Sequence, residues 1–75
     1  MIKVIVGTTT ERTEKMYAPS TTLRTILEEN GVDYSVAQIM FDGRSLRAGE
    51  MDNTLAQENV TEKCSIIAVV KAANA

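Results

Sequence analysis

Residues 39–46 have the sequence Ile39-Met40-Phe41-Asp42-Gly43-Arg44-Ser45-Leu46. An apolar run meets Asp-Gly, a dipeptide that favours two-residue hairpin turns because both positions accept a positive φ. A basic residue and an isolated leucine follow the turn. The stretch therefore predicts a strand over 39–41, a tight turn, and a short return strand that buries Leu46.

A short helix is predicted upstream of this hairpin. Pro19 ends the preceding run, since it cannot donate to a strand ladder, and the hydroxyl of Thr22 can cap the first helical turn. Asn30-Gly31 is a stop signal, with Val32 placed to make the hydrophobic contact that closes this type of cap. A helix of about nine residues is unstable alone and must pack on a sheet. Its apolar residues fall at i, i+3 and i+4 and share one face: Leu23, Ile26 and Leu27.

Apolar, β-branched runs open and close the chain. Residues 1–6 alternate, with Ile2, Val4 and Val6 on one face, and residues 64–71 are apolar on both faces, as in a central strand. Residues 13–18 are assigned to a strand only by context, and neither of their faces is clearly apolar. Residues 47–54 are predicted to be a loop, and 54–60 hold two apolar anchors around a turn. The order predicts parallel first and last strands, side by side in a mixed sheet, with the helix across one face.

The periodicities converge on one interior. We expect these residues to be buried: Ile2, Val4, Leu23, Ile26, Leu27, Ile39, Phe41, Leu46, Leu55, Val60, Ile66 and Ala68. Residues 1–71 are predicted to be a single domain and residues 72–75 a frayed tail.

Composition excludes several classes of function. The chain has 75 residues, one Cys, no His and a net charge of −2. We expect no metal site or cofactor, because zinc sites need clustered Cys and His. We expect no nucleic-acid partner, because no basic stripe is present. No apolar run approaches the ~18 residues of a membrane helix. The sequence thus predicts a soluble, cytoplasmic protein without a membrane partner.

Catalytic residues are not expected either. Cys64 is the only thiol, and a nucleophilic Cys needs a base that a chain without His does not offer. The acidic pairs Glu28-Glu29 and Glu58 with Glu62 are interpreted as helix-surface charge, since a small domain offers little cleft for paired-carboxylate chemistry. The protein is therefore predicted not to be an enzyme.

With residues 39–46 and the helix signals in this order, the sequence resembles the ubiquitin family along most of its length. The resemblance implies an α+β β-grasp fold, a mixed sheet of four to five strands with one helix packed across one face. The features that carry it stand in the family's order: Met1 opening the first strand, Pro19-Ser20 before Thr22, Phe41 with Gly43, Arg44 and Leu46, and Thr54-Leu55 before Asn59-Val60.

The sequence departs from the family pattern at three places. It ends in Asn74-Ala75, whereas conjugated family members and sulfur carriers end in the Gly-Gly that an activating enzyme adenylates. We therefore expect no C-terminal conjugation. Glu58 replaces an aromatic residue that braces the last loop of ubiquitin. Lys3 stands where a gapless match expects a core residue, so the register of the first hairpin is expected to differ.

The resemblance also implies a binding surface. Ubiquitin-like domains bind partners through an apolar patch on the sheet face opposite the helix, and the matching residues here are Met40, Ile67 and Val69. Strand alternation supports this apolar patch independently, since Met40 faces away from Phe41. Arg44 is expected to flank it. The patch is predicted to be a partner site, a dimer contact, or ordinary surface.

The leading hypothesis is a non-conjugating ubiquitin-like module that binds an unidentified protein partner, with weak self-association possible. One alternative is a small accessory subunit of a larger enzyme complex. Another is a modifier or sulfur carrier with an atypical C-terminus.

Overall fold

Five strands and one helix form two layers in a computed structural model that describes residues 1–70. The predicted frayed tail at 72–75 lies outside the described residues, as does residue 71 at the predicted end of the last strand. The elements are β1 (Ile2–Thr8), β2 (Arg12–Tyr17), α1 (Leu23–Glu29), β3 (Ala37–Phe41), β4 (Arg44–Ser45), a 3₁₀ turn (Ala48–Glu50) and β5 (Lys63–Val70).

The strands form one mixed sheet in the order β2-β1-β5-β3-β4. β1 and β5 are parallel neighbours at its centre, as the sequence predicted, and the other pairs are antiparallel. β1 turns Ile2, Val4 and Val6 towards the helix, while Lys3 lies on the opposite face and pairs with Met16 of β2. Lys3 is therefore not a core residue, and the alternation of β1 accounts for this departure from the family pattern.

The β3–β4 hairpin forms at the predicted turn. Asp42 and Gly43 have φ of 50° and 90°, and both angles lie in the left-handed region that a type I′ turn requires. The backbone N–H of Leu46 then donates to Ile39 O at 2.8 Å. This bond closes the hairpin and brings Leu46 into the core.

The helix has the predicted caps and is slightly shorter than predicted. The Thr22 hydroxyl accepts from the backbone N–H of Thr25 at 3.2 Å. At the other end Gly31 has φ of 69°, and the N–H of Val32 donates to Leu27 O at 2.9 Å. This is the left-handed cap that glycine favours. It ends the helix at Glu29, because Asn30 already serves as the C-cap.

Every residue that the periodicities placed in the core is buried. The interior also contains residues that the sequence analysis did not include: Val6, Tyr17, Met51 and Cys64. Tyr17 is the only buried residue of β2, and its hydroxyl accepts from the Asn30 amide at 3.0 Å. This contact shows which face of β2 is turned to the helix, which the sequence pattern of β2 did not predict.

The prediction that residues 47–54 form a loop is wrong in one respect. Ala48–Glu50 form a 3₁₀ turn, and Met51 contributes to the core. The side chain of Met51 is buried beneath the start of the helix. Met51 O accepts from the N–H of Arg24 at 2.8 Å, and Asn53 O accepts from the N–H of Leu23 at 3.0 Å. These carbonyls satisfy N–H groups that the first helical turn would otherwise leave unpaired.

Candidate interaction surface

One face of the sheet packs against the helix, and no second layer covers the other face within residues 1–70. Register and alternation assign residues to this open face. They are Lys3, Ile5 and Gly7 of β1, Arg12, Glu14 and Met16 of β2, Gln38 and Met40 of β3, Ser45 of β4, and Lys63, Ser65, Ile67 and Val69 of β5.

The three residues of the predicted apolar patch lie together on the open face. Met40 and Ile67 are Cα partners on adjacent strands, and both side chains are half-buried. Val69 follows Ile67 on the same face of β5, pairs with Gln38, and is 36% exposed. The structure thus brings together Met40, Ile67 and Val69.

Arg44 does not flank this patch, which corrects its predicted position. The two-residue turn makes Arg44 the partner of Phe41, and directly opposed residues in an antiparallel pair point to the same face. Its guanidinium carbon lies 5.6 Å from the centre of the Phe41 ring, on the helix side of the sheet. It is also paired with Glu50 at 3.2 Å and with Glu58.

The structure extends the apolar surface beyond the predicted patch. Ile5 pairs with Ser65, which makes it a diagonal neighbour of Ile67, and Met16 is in turn diagonal to Ile5. Diagonal neighbours on one sheet face lie ~7–8 Å apart, within reach of long side chains. Met16 is 52% exposed on the edge strand.

We call Met16, Ile5, Ile67 and Met40 the diagonal strip. It crosses four strands, from β2 to β3. Two diagonal steps of ~7–8 Å and one direct step of ~5 Å make it about 20 Å long. Sequence alternation could have placed Ile5 on this face, but the diagonal depends on register between strands that are distant in sequence.

Glu58, one of the residues that depart from the family pattern, makes polar contacts within the fold. Its carboxylate is nearly buried, accepts from the Asn53 amide at 2.8 Å, and pairs with Arg44. It thereby ties the 53–58 segment to β4. Interpreting Glu58 as helix-surface charge was wrong, because it lies in a turn and is held in an ion pair.

Cys64 is on the helix side of β5, opposite Val4, and is 4% exposed. Burial raises the pKa of its thiol from 9.0 to about 11, and the negative charge of Asp42 adds to the shift. A buried thiol with a raised pKa is a poor nucleophile. The position is that of a small core residue.

The raised pKa predicts a loss of stability in alkali. The folded protein keeps the Cys64 proton to a higher pH than the unfolded chain, so the stabilisation is complete below pH ~9 and is lost as pH rises towards ~11. About two pKa units correspond to roughly 2–3 kcal/mol. We expect urea midpoints to fall over this range, and to fall less in Cys64→Ala. Tyr17, whose pKa burial also raises, is present in both proteins, so equal losses would contradict the assignment to Cys64.

Two further findings concern metal ligands and membrane-spanning helices. Within residues 1–70, no three acidic, cysteine or histidine side chains are grouped as metal ligands would be. In the same part of the chain, no helix is long and apolar enough to cross a membrane.

Comparison with known proteins gives matches among solved structures only. No protein-family model matches the chain, and no curated protein sequence matches it. Among solved structures, it is similar to a ubiquitin from Caldiarchaeum subterraneum, with a TM-score of 0.67 over 99% of this chain and 98% of that one. The chain has the ubiquitin-like β-grasp fold. Since sequence identity is 16%, the likeness establishes the fold and leaves the function to be argued from the surface.

Proposed function

We propose that this chain is a ubiquitin-like protein–protein interaction module that binds its partner through the open sheet face. The observation that supports the proposal is the diagonal strip, continued by Val69, on a face that no other layer covers within residues 1–70. Apolar surface gathered in this way commonly marks a binding site. Small domains of this fold act in general as interaction modules or modifiers, which agrees with such a role.

The potential catalytic groups favour binding over catalysis. Cys64 is buried with a raised pKa. The Glu58 carboxylate is paired with Arg44, and Glu28 accepts from the Tyr34 hydroxyl at 2.9 Å. A role as an accessory subunit of an enzyme complex would use the same apolar surface, and the identity of the captured partner would distinguish it.

The test is a matched pair of valine substitutions on the intact chain. Val69→Lys places a charge beside the strip, whereas Val36→Lys places the same charge on an exposed valine in the connector between the helix and β3. Both should keep the parent melting temperature, because exposed substitutions usually cost within ~0.5 kcal/mol. Val69→Lys and Met40→Glu should each lose the partner, because an unpaired charge at an interface centre costs several kcal/mol. The control, Val36→Lys, should keep the partner.

Partner capture is measured by affinity purification from host lysate with mass spectrometry, and oligomeric state by sedimentation. Capture that survives both Val69→Lys and Met40→Glu would refute the proposal. Loss of a dimer in these variants would assign the face to self-association. A Val69→Lys protein that does not fold would show that Val69 faces the core.

A further inference from the structure

We propose that Asn30 is a site of self-modification, at which the backbone nitrogen of Gly31 attacks the side-chain amide carbon of Asn30, and that the C-terminal cap of α1 sets the rate of this reaction. Water is the only co-reactant. The site lies at the end of the helix, away from the open sheet face, so the proposal goes beyond the binding function and does not depend on it.

The sequence at this site favours deamidation. Of the four asparagines, Asn30 is the only one followed by glycine, and glycine has no Cβ to crowd its nitrogen. In the reaction that nitrogen bonds to Cγ of Asn30, and the Cγ–Nδ2 bond breaks. The proton of the Gly31 N–H passes to the departing ammonia, and a five-membered succinimide remains. Water then opens the ring and leaves either aspartate or isoaspartate.

The folded backbone of Asn30 is turned away from the geometry of attack. In the succinimide ring the Gly31 nitrogen must eclipse Cβ of Asn30 across the Cα–C bond. The ψ angle of Asn30 is 9°, and at this angle the Gly31 nitrogen eclipses the backbone nitrogen of Asn30 instead. Ring closure therefore needs a rotation about the Cα–C bond, from one substituent of the tetrahedral Cα to another.

Hydrogen bonds of the helix cap oppose that rotation. The backbone N–H of Gly31 donates to Glu28 O at 3.2 Å. The side-chain amide of Asn30 donates to the Tyr17 hydroxyl at 3.0 Å and to Ile26 O at 2.7 Å. The nucleophile and the leaving group are thus both held, and the reaction must wait for a local opening of the cap. The rate of modification in the folded protein therefore follows the population of the open cap.

The product weakens the cap that delays its formation. An ionised carboxylate has no N–H, so Ile26 O loses the donor that Asn30 supplies and faces a negative charge. Negative charge is unfavourable at a helix C-terminus, and the last turn of α1 already has Glu28 and Glu29 and no basic residue. Isoaspartate also adds a methylene group to the main chain, which displaces Gly31 from its cap position. A modified chain should therefore unfold more readily than a new one.

The rate is measured on the full chain in mildly alkaline buffer, with and without guanidinium chloride. Peptide mass spectrometry detects the mass gain at each asparagine, and an isoaspartyl methyltransferase with a labelled methyl donor detects isoaspartate. In denaturant, Asn30 should react faster than the other asparagines. In the folded protein, Asn30 should react at least about tenfold more slowly than in denaturant, because the cap must open first.

Three variants test whether the cap controls the rate. Tyr17→Phe removes the hydroxyl that accepts from Asn30. It should accelerate the folded-state reaction about three- to tenfold and leave the rate in denaturant unchanged. Tyr34→Phe is the matched control, because its hydroxyl donates to Glu28 and does not contact Asn30. Phe41→Leu lowers the global stability from a distant position. Both of these variants should leave the folded-state rate unchanged, since the opening is local.

A further pair of variants tests the consequence of the modification. Asn30→Asp reproduces the aspartate product and should raise the equilibrium constant for unfolding about tenfold, as measured by urea denaturation. Asn59→Asp makes the same charge change at an exposed asparagine. Its equilibrium constant should stay within about twofold of the parent value.

Equal rates at Asn30 with and without denaturant would refute protection by the cap. An acceleration by Phe41→Leu as large as that by Tyr17→Phe would assign the reaction to global unfolding and overturn local control. If another asparagine reacts faster than Asn30 in denaturant, the Asn30-Gly31 site itself is refuted. Equal stability of Asn30→Asp and Asn59→Asp would show that the product does not weaken the helix end.

Discussion

Phe41→Ala is expected to lower the free energy of unfolding by about 3–5 kcal/mol. Phe41 is the single phenylalanine of the chain and is 3% exposed. Its ring is part of the interior at the end of β3, and the Arg44 guanidinium lies over the ring. A domain of this size has a marginal core, with a stability near the low end of the usual range, about 5 kcal/mol. The variant should therefore be largely unfolded or close to it at 25 °C.

Urea denaturation followed by circular dichroism measures this effect. Phe41→Leu is the matched control, because it keeps an apolar side chain of similar size and should cost less than ~1.5 kcal/mol. A Phe41→Ala protein that melts within a few degrees of the parent would remove Phe41 from the core and shift the register of β3.

The elements that could be predicted from the sequence are those with local physical signals. The Asp42-Gly43 turn, the Thr22 cap and the Gly31 stop each depend on neighbouring residues, and all three form as predicted. The central parallel pair β1–β5 followed from its apolar content. Together these signals predicted the β-grasp arrangement.

The elements that could not be predicted depend on distant contacts. β2 showed no apolar face because it is an edge strand, and Tyr17 is its only buried residue. The resemblance placed Arg44 beside the apolar patch. Its pairing with Phe41 across the two-residue turn puts it on the helix side of the sheet instead. Glu58 looked like surface charge because its partners, Arg44 and Asn53, reach it only in the folded chain.

Some residues of the candidate site could be predicted from the sequence and others could not. Met40, Ile67 and Val69 could be found from alternation within single strands and from the resemblance. Ile5 and Met16 could not be joined to them, because the diagonal requires the registers of β2 with β1 and of β1 with β5. Lys3 and Lys63, which are far apart in sequence, are likewise neighbours only through the register of β1 with β5.

Met51→Ala is expected to cost about 2–5 kcal/mol, the range for truncating a large buried aliphatic side chain. Met51 is 4% exposed, and its carbonyl also accepts from the N–H of Arg24. Its side chain therefore holds the 47–54 segment against the first turn of the helix. Removing that side chain should also speed hydrogen exchange at the Leu23 and Arg24 amides, because their acceptors lie in this segment.

Met16→Ala is the matched control, since the same atoms are removed from an exposed methionine on the edge strand. It should stay within ~0.5 kcal/mol of the parent. The two variants are compared by urea denaturation and by hydrogen exchange with mass spectrometry. Equal losses in the two variants, or unchanged exchange at the helix start in Met51→Ala, would show that the segment is a surface loop after all. A large loss confined to Met51→Ala would establish that the 47–54 segment, despite its loop-like composition, anchors the start of the only α-helix in residues 1–70.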